Sequence, residues 1–143
     1  MKYKSICIIP ARYGSKRVPR KNIINFFGKP LIGHVIQNAI KSNCFQKIYV
    51  STDSIKIKKI SEKFGAVVPY IRSKKLSNDK AVVNDVIRDF LKKVNINKNI
   101  KLITVIYPTA IFVNKKLISK SISKISKNVN FVSTVKKFPH PIQ

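Results

Sequence analysis

Residues 5–22, SICIIPARYGSKRVPRKN, combine an apolar run with a strongly basic loop and carry the clearest structural signal in this chain. The apolar run 5–9 predicts a strand. It continues directly into a loop that holds one glycine, two prolines and five basic side chains. Gly14 lets the backbone come close to an anion, and successive N–H groups in such a turn form a positive concavity. The loop therefore predicts a binding site for a polyphosphate.

The basic side chains of this loop support the same prediction. They are Arg12, Lys16, Arg17, Arg20 and Lys21. Such cations can surround a phosphate group, and an arginine can hold two of its oxygens in a bidentate fork. Pro10 and Pro19 stiffen the two sides of the loop. The alternative interpretation is a basic surface loop that binds nothing.

Strands and helices alternate along the rest of the chain. Apolar runs predict further strands at 47–51, 66–70, 101–107 and 130–135. Apolar residues at helical spacing predict helices over about 30–41, 54–64, 80–94 and 114–126. Ser54 and Asn114 are the predicted N-caps of two of these helices, and Gly65 closes one of them. This order predicts an α/β fold with a mainly parallel sheet and flanking helices.

Three polar clusters follow predicted strands: the basic loop, residues 51–54 and residues 108–110. The carboxyl ends of parallel strands meet at one edge of a sheet, and ligands bind there. We therefore expect the three clusters to lie together. Within the second cluster, Asp53 is either a functional residue or a helix cap that acts together with Ser54.

The composition limits the class of protein. With 143 residues, 44% of them hydrophobic, the chain suits one domain over 1–143 with a real core. No apolar run approaches the roughly 20 residues of a membrane span, and the N-terminus does not read as a signal peptide.

Cys7 and Cys44 predict two reduced thiols in a cytoplasmic protein. Together with His34 and His140 they lack the spacing of a zinc site, so no metal ligand is assigned.

The formal net charge of +25 is typical of nucleic-acid-binding proteins. Only five of the 30 basic residues are arginines, and the lysines are spread along the whole chain. A coding sequence rich in A and T would produce this composition without any partner. The chain has no tryptophan to stack on bases. Nucleic acid is therefore an unlikely partner, whereas the charge would raise the local concentration of nucleotides.

Residues 9–23, IPARYGSKRVPRKNI, resemble the N-terminal motif of the acylneuraminate cytidylyltransferases, the CMP-sugar synthetase family. The family pattern is roughly I-P-A-R-G-G-S-K-x-(I/L)-P-x-K-N-(I/L). The resemblance continues through GKPLI at 28–32, VSTD at 50–53 and YPTA at 107–110. The final residues, FPHPIQ at 138–143, resemble the subgroup that activates pseudaminic acid. That sugar is therefore favoured over N-acetylneuraminic acid.

The resemblance implies a Rossmann-like nucleotide-diphospho-sugar transferase fold and a reaction. In that reaction, CMP passes from CTP to a nine-carbon 2-keto sugar acid, and pyrophosphate is released. It implies Mg²⁺ as cofactor and a homodimer in the family, which is doubtful for this chain. By motif position, Arg12 and Lys21 are the catalytic candidates and Gln143 the sugar-binding one. The candidates for nucleotide binding are Gly14, Ser15, Lys16, Asn22, Arg72, Asn84 and Thr109.

The chain departs from the family pattern in four places. Tyr13 replaces a glycine, residues 80–83 replace a threonine-bearing stretch, and Ile111 replaces a proline. Family members also run to well over 200 residues, and the part without a counterpart carries the aspartates assigned to magnesium. We therefore expect a C-terminally truncated form of the fold that binds nucleotide but is weak or inactive as an enzyme. The alternatives are another nucleotidyltransferase, a basic nucleic-acid-binding module, and a remnant that folds poorly.

Overall fold

A computed structural model describes residues 4–135 of the chain. Its strands are β1 (Ser5–Pro10), β2 (Asn25–Phe26), β3 (Lys29–Pro30), β4 (Lys47–Ser51) and β5 (Leu102–Val105). Its helices are α1 (Leu31–Lys41), α2 (Ile55–Lys63), α3 (Val83–Lys93) and α4 (Lys115–Ser123). Lys21–Ile23 and Lys74–Leu76 form single turns of 3-10 helix. The predicted α/β alternation is confirmed.

The main sheet is parallel, with strand order β4-β1-β5. Ile8 of the central strand pairs with Tyr49 on one side and with Val105 on the other. Because β1 has a neighbour on each side and cover on both faces, it is buried from Ser5 to Ile9 and shows no polar alternation. The chain leaves β1 towards β4 and returns later as β5 on the opposite side. This reversal places a topological switch point at the carboxyl end of β1.

Helices cover both faces of this sheet. Ile9 of β1 belongs to a core that includes buried side chains of α1, α2 and α4. On the opposite face, Ile8 packs in a second cluster with Tyr49 and with Phe90 of α3. The rings of Tyr49 and Phe90 meet edge to face, with centroids 5.3 Å apart. The sheet is therefore the middle layer of three.

Local signals set several helix ends. Ser54 precedes α2, and its hydroxyl oxygen accepts a hydrogen bond from the Ile57 N–H at 3.3 Å. Asn114 precedes α4, and its side-chain oxygen accepts from the Leu117 N–H at 3.0 Å. Gly65 follows α2 with a φ of +93°, a conformation that favours glycine. These three predictions are confirmed, although α4 ends at Ser123 rather than near residue 126.

The third helix begins later than predicted. It starts at Val83 and not at Lys80. The side-chain oxygen of Asn78 accepts hydrogen bonds from the N–H groups of Lys80 and Ala81, at 2.9 and 3.0 Å. Because these bonds hold the backbone in a turn, they compete with helix formation just ahead of α3.

The predicted strand at 66–70 is wrong. This segment runs beside β4 but makes only isolated bridges, between Val67 and Tyr49 and between Ile71 and Thr52. The Val67 N–H donates to the Ile48 carbonyl, and the Val67 carbonyl accepts from Val50. Pro69 has no N–H, so it cannot make the next bond of the ladder.

The predicted strand at 130–135 is also wrong. Within residues 4–135, no strand pairs with this segment, and a strand forms only where a neighbour completes its hydrogen bonds. Phe131 is 80% exposed and Val135 is 91% exposed. The antiparallel hairpin β2–β3, in contrast, was not predicted from the sequence.

Among the residues that the structure describes, no helix has the length and apolar character needed to cross a bilayer.

Candidate nucleotide-binding site

The three polar clusters meet at the carboxyl edge of the sheet, as predicted. We call residues 10–22, which follow β1, the cation loop. Two adjoining cavities, of about 220 and 280 Å³, open between this loop and the segment that precedes α3. Tyr107, Pro108 and Thr109, which follow β5, line the cavity of about 220 Å³. The cavities therefore lie at the switch point of the sheet, where open α/β sheets bind their ligands.

Hydrogen bonds hold the cation loop from both sides. The Ala11 N–H donates to the Ser51 carbonyl at 2.9 Å, which continues the pairing of β1 with β4. The Tyr13 N–H donates to the Asp53 carboxylate at 2.8 Å. From the other side, the buried side-chain amide of Asn22 donates to the Arg12 carbonyl at 2.7 Å. The loop backbone is therefore fixed at three successive positions.

The two cavities gather most of the residues predicted for nucleotide binding. The cavity of about 220 Å³ is lined by Arg12, Ser15, Lys21, Asn22, Arg72 and Thr109, among others. The cavity of about 280 Å³ is lined by Arg12, Gly14, Ser15 and Lys16, among others. Residues far apart in sequence thus converge on one region that is rich in positive charge.

Arg72 lies on the floor of this region and is 5% exposed. Its Nη1 donates to the carbonyl and hydroxyl oxygens of Ser51, at 3.3 and 3.4 Å, and its Nε donates to the Ser77 hydroxyl at 3.1 Å. Burial lowers the pKa of Arg72, and the nearby charge of Asp53 acts in the opposite direction. An arginine pKa starts so high that the group remains charged. The site therefore contains a buried cation held in a fixed orientation.

Asp79 forms the opposite wall of both cavities. One carboxylate oxygen lies 2.8 Å from Arg12 Nη2 and the other lies 2.7 Å from Lys16 Nζ. The hydrogen bond from Lys16, followed by that from Arg12, lowers the pKa of Asp79. An internal anion thus pairs with two of the cations that were predicted to bind phosphate.

Two of the five loop cations do not reach the cavities. Arg17 is exposed and lines neither of them. Arg20 lies over the ring of Tyr13, with its guanidinium carbon 5.7 Å from the ring centroid. Tyr13 packs against the core, and its φ is not positive. The tyrosine therefore fits where the family has glycine.

Asn84 is a predicted nucleotide-binding residue that the structure does not bring to the site. It is exposed and lines neither cavity. Val83 and Val86 line the cavity of about 220 Å³ instead, because residues three apart lie on the same side of α3. Gln143, predicted to bind the sugar, and His140 lie outside the described residues.

Sequence reasoning missed part of the cavity wall. Leu76, Ala81, Val83 and Val86 supply apolar surface beside Arg72. The resemblance placed residues 77–84 near the cytosine and ribose, a range that includes Ala81 and Val83, but no motif marked Leu76 or Val86. Asp79 also lies in that range and is one of only five acids in the chain, yet it was not assigned a role.

The described residues do not fit a magnesium site by themselves. Across residues 4–135, no three histidine, cysteine, aspartate or glutamate side chains cluster as metal ligands. Asp79, the acid on the cavity wall, has both carboxylate oxygens paired with cations. Mg²⁺ takes oxygen ligands, and in such sites it is usually bound by one or two carboxylates together with substrate phosphates.

Comparison with curated proteins shows similar sequences. Over 142 residues the chain is 39% identical to the pseudaminic acid cytidylyltransferase of Campylobacter jejuni, an alignment that covers 98% of this chain and 61% of that protein. Over 88 residues it is 46% identical to the CMP-N,N'-diacetyllegionaminic acid synthase of Legionella pneumophila, which covers 62% of this chain and 38% of that protein. The chain therefore spans about three fifths, or less, of the length of these relatives.

The fold is similar to that of a CMP:2-keto-3-deoxy-manno-octonic acid synthetase complexed with CTP. The TM-score is 0.70 at 23% identity, over 84% of this chain and 46% of that one. A sequence model of the cytidylyltransferase family matches residues 6–140, a range that includes the cation loop, the end of β4 and the cavity walls. Because this match spans most of the chain, the chain belongs to the cytidylyltransferase family.

Proposed function

We propose that this chain binds CTP through the cation loop and forms the nucleotide-binding part of a CMP-sugar synthetase. The observation that carries the proposal is the convergence of Arg12, Lys16, Lys21 and Arg72 on the two cavities at the switch point. Three cations of one loop together with a fourth from a distant segment, all at one concave site, favour a ligand with several negative charges. A nucleoside triphosphate has such charges.

The triphosphate lies along the cation loop in this proposal. Arg12 and Lys21 pair with phosphate oxygens, and Lys16 approaches from the outer side. Within residues 4–135, the N–H groups of Gly14 and Ser15 have no protein acceptor, so they are available to the same oxygens. Backbone amides and cationic side chains are the groups that commonly bind phosphate in proteins.

The nucleoside lies deeper, beside Arg72. Leu76, Ala81, Val83 and Val86 offer apolar surface on which a flat base can pack. The fixed guanidinium of Arg72 offers N–H donors at the same place, and Thr109 lines the wall that follows β5. In this arrangement the faces of the base pack against apolar side chains, its polar edge can meet Arg72, and the phosphates meet the cations of the loop.

The reaction proposed for the family-length protein is cytidylyl transfer. The anomeric hydroxyl oxygen of the sugar acid attacks the α-phosphorus of CTP, and the bond from that phosphorus to the bridging oxygen breaks. Pyrophosphate leaves, and the hydroxyl proton passes to solvent or to a base. Negative charge develops on the phosphate oxygens during this step, and the positions of Arg12 and Lys21 would let them stabilise it.

Pseudaminic acid is the sugar acid that we favour, followed by N-acetylneuraminic acid. The support is the alignment over 98% of this chain with a relative named for pseudaminic acid. Mg²⁺ is proposed as the cofactor from the family resemblance, and it would screen the charge of the phosphates when bound. Because residues 4–135 do not fit a magnesium site, no step is assigned to it here.

Calorimetric titration of the purified chain with CTP tests the proposal. We expect Arg12→Ala and Lys21→Ala to weaken CTP binding by about tenfold or more each, because each removes a charge-assisted hydrogen bond. Arg17→Ala is the matched control, since it removes one positive charge from the same loop but not from the cavities. Equal losses for all three variants would indicate a general charge effect, and undiminished CTP binding in Arg12→Ala and Lys21→Ala would contradict the proposal.

A further inference from the structure

We infer that Asp53 is a positioning residue for the cation loop. Its carboxylate fixes the Tyr13 N–H and so sets where Arg12 and the free N–H groups of Gly14 and Ser15 point. This inference rests on the proposed function, because its consequence is tighter binding of a polyphosphate.

The hydrogen bond joins two parts of the chain that are 40 residues apart. Asp53 Oδ1 accepts from the Tyr13 N–H at 2.8 Å. Asp53 lies two residues after the end of β4 and Tyr13 lies near the start of the cation loop, so the bond connects the loop to the edge of the sheet. The Tyr13 N–H belongs to the peptide group that joins Arg12 to Tyr13. A rotation of this group would therefore change the backbone at both residues and the direction in which the chain enters Gly14.

Of the two roles that the sequence left open for Asp53, the structure argues against the helix cap. The cap of α2 is made by Ser54, whose hydroxyl accepts from Ile57. Among the described residues, Asp53 makes no ion pair within 4 Å and no capping hydrogen bond. Its half-buried carboxylate is therefore used for the loop.

Asp53 belongs to the short segment 51–53, which makes hydrogen bonds both to the cation loop and to Arg72. The Ser51 carbonyl accepts from the Ala11 N–H at 2.9 Å and from Arg72 Nη1 at 3.3 Å. The Thr52 carbonyl accepts from the Arg72 N–H at 2.8 Å. Together with the hydrogen bond that the Tyr13 N–H donates to Asp53, these contacts set the distance between the cation loop and Arg72.

A carboxylate near a polyphosphate site has an electrostatic cost, because like charges repel. A neutral residue would avoid that cost. Asp53 offsets it by giving the Tyr13 N–H a strong acceptor, and hydrogen bonds to charged acceptors are shorter and stronger than neutral ones. Small displacements of binding groups strongly reduce the strength of interactions in such sites.

Two substitutions at this position separate positioning from charge. Asp53→Asn removes the charge but retains a side-chain oxygen of the same reach, whereas Asp53→Ala removes the acceptor. We expect Asp53→Ala to weaken the binding of CTP and of inorganic tripolyphosphate by about tenfold. We expect Asp53→Asn to bind both within about threefold of the wild type, because the amide oxygen can still accept from Tyr13.

Amide hydrogen exchange followed by NMR gives a readout that does not depend on ligand. The Tyr13 amide should exchange more slowly than those of Gly14 and Ser15 in the wild type and in Asp53→Asn, and should lose this protection in Asp53→Ala. Unprotected Tyr13 in the wild type would overturn the inference, even if Asp53→Ala failed to fold. Equal behaviour of the two variants in the binding experiment, whether impaired or normal, would overturn it as well.

These measurements also distinguish this inference from the proposed function. A wild-type chain that binds neither CTP nor tripolyphosphate would contradict the proposed function. In that case, the exchange of the Tyr13 amide would still decide whether Asp53 holds the loop.

Discussion

Asp79 Oδ1 lies 2.8 Å from Arg12 Nη2, across the cavities between the cation loop and the segment before α3. Its second carboxylate oxygen lies 2.7 Å from Lys16 Nζ. The two oxygens thus pair with two separate cations, much as oxygens of a phosphate group would. A triphosphate that enters this site meets cations that already pair with Asp79. It must share these cations with the Asp79 carboxylate or displace that carboxylate from them.

Replacement of Asp79 by asparagine should therefore tighten polyphosphate binding. We expect Asp79→Asn to bind CTP more tightly at low salt, because the substitution frees Arg12 and Lys16 from their anionic partner. The gain should be only about two- to tenfold, because exposed ion pairs are individually weak. Glu62→Gln on α2 is the matched control, since it removes one negative charge that faces Lys58. Calorimetric titration of both variants measures the effect. A similar gain in the control, or none in Asp79→Asn, would show that Asp79 does not compete with the ligand.

The same ion pairs predict a pH dependence of stability. They lower the pKa of Asp79 in the folded chain, with Lys16 as the larger cause. The unfolded value is about 3.9, so the stabilisation is present above about pH 4 and is lost as the pH falls through the lower folded value. The difference in Tm between the wild type and Asp79→Asn should shrink as the pH falls through this range. Thermal melts followed by circular dichroism test this, and a difference that is constant with pH would contradict it.

Gly14 gives a test of where the phosphates lie. A methyl group at this position would meet no atom within 4 Å, and its φ is not in the left-handed region. Gly14→Ala should therefore leave the Tm unchanged but weaken CTP binding by about tenfold if a phosphate contacts the loop backbone. Titration and melting of the same sample separate the two effects. Unchanged affinity would place the phosphates away from Gly14.

Gly65 gives the complementary test of the fold. Its φ is +93°, and an added methyl group would lie 3.1 Å from Ile40 Cδ1. Gly65→Ala should lower the free energy of unfolding by about 1–2 kcal/mol because of the backbone conformation. Gly65→Asn should cost less, since asparagine tolerates positive φ better and has the same Cβ. Equal losses for the two variants in urea unfolding would assign the cost to the contact with Ile40 instead.

Much of the fold could be predicted from local patterns. The apolar run of β1, the caps Ser54 and Asn114, and Gly65 at the end of α2 each act through nearby residues, so the sequence shows them directly. The prediction of a strand at 66–70 was wrong because Pro69 interrupts a ladder with β4. That failure depends on a partner strand distant in sequence, which apolar periodicity does not reveal.

The candidate site was predictable in its location but less so in its detail. The position of the cation loop after β1 follows from the parallel order of the strands. The contact between Asp79 and Arg12 and the exclusion of Arg17 and Asn84 from the cavities depend on side-chain directions. The contact between Asp79 and Arg12 joins two segments that are distant in sequence, and the exclusion of Asn84 depends on the rotation of α3, so local motifs show neither.

Three properties could be read from the order of residues alone: strand and helix alternate, a cationic turn follows the first strand, and the chain resembles the cytidylyltransferases. These properties follow from chemistry between residues close together along the chain. The packing of the sheet and helices sets which cations face the cavities, brings Asp79 against two of them, and places the Asp53 carboxylate where it accepts a hydrogen bond from the Tyr13 N–H. Such contacts join segments 40 or more residues apart, and only the packing of the whole sheet brings them within hydrogen-bonding distance.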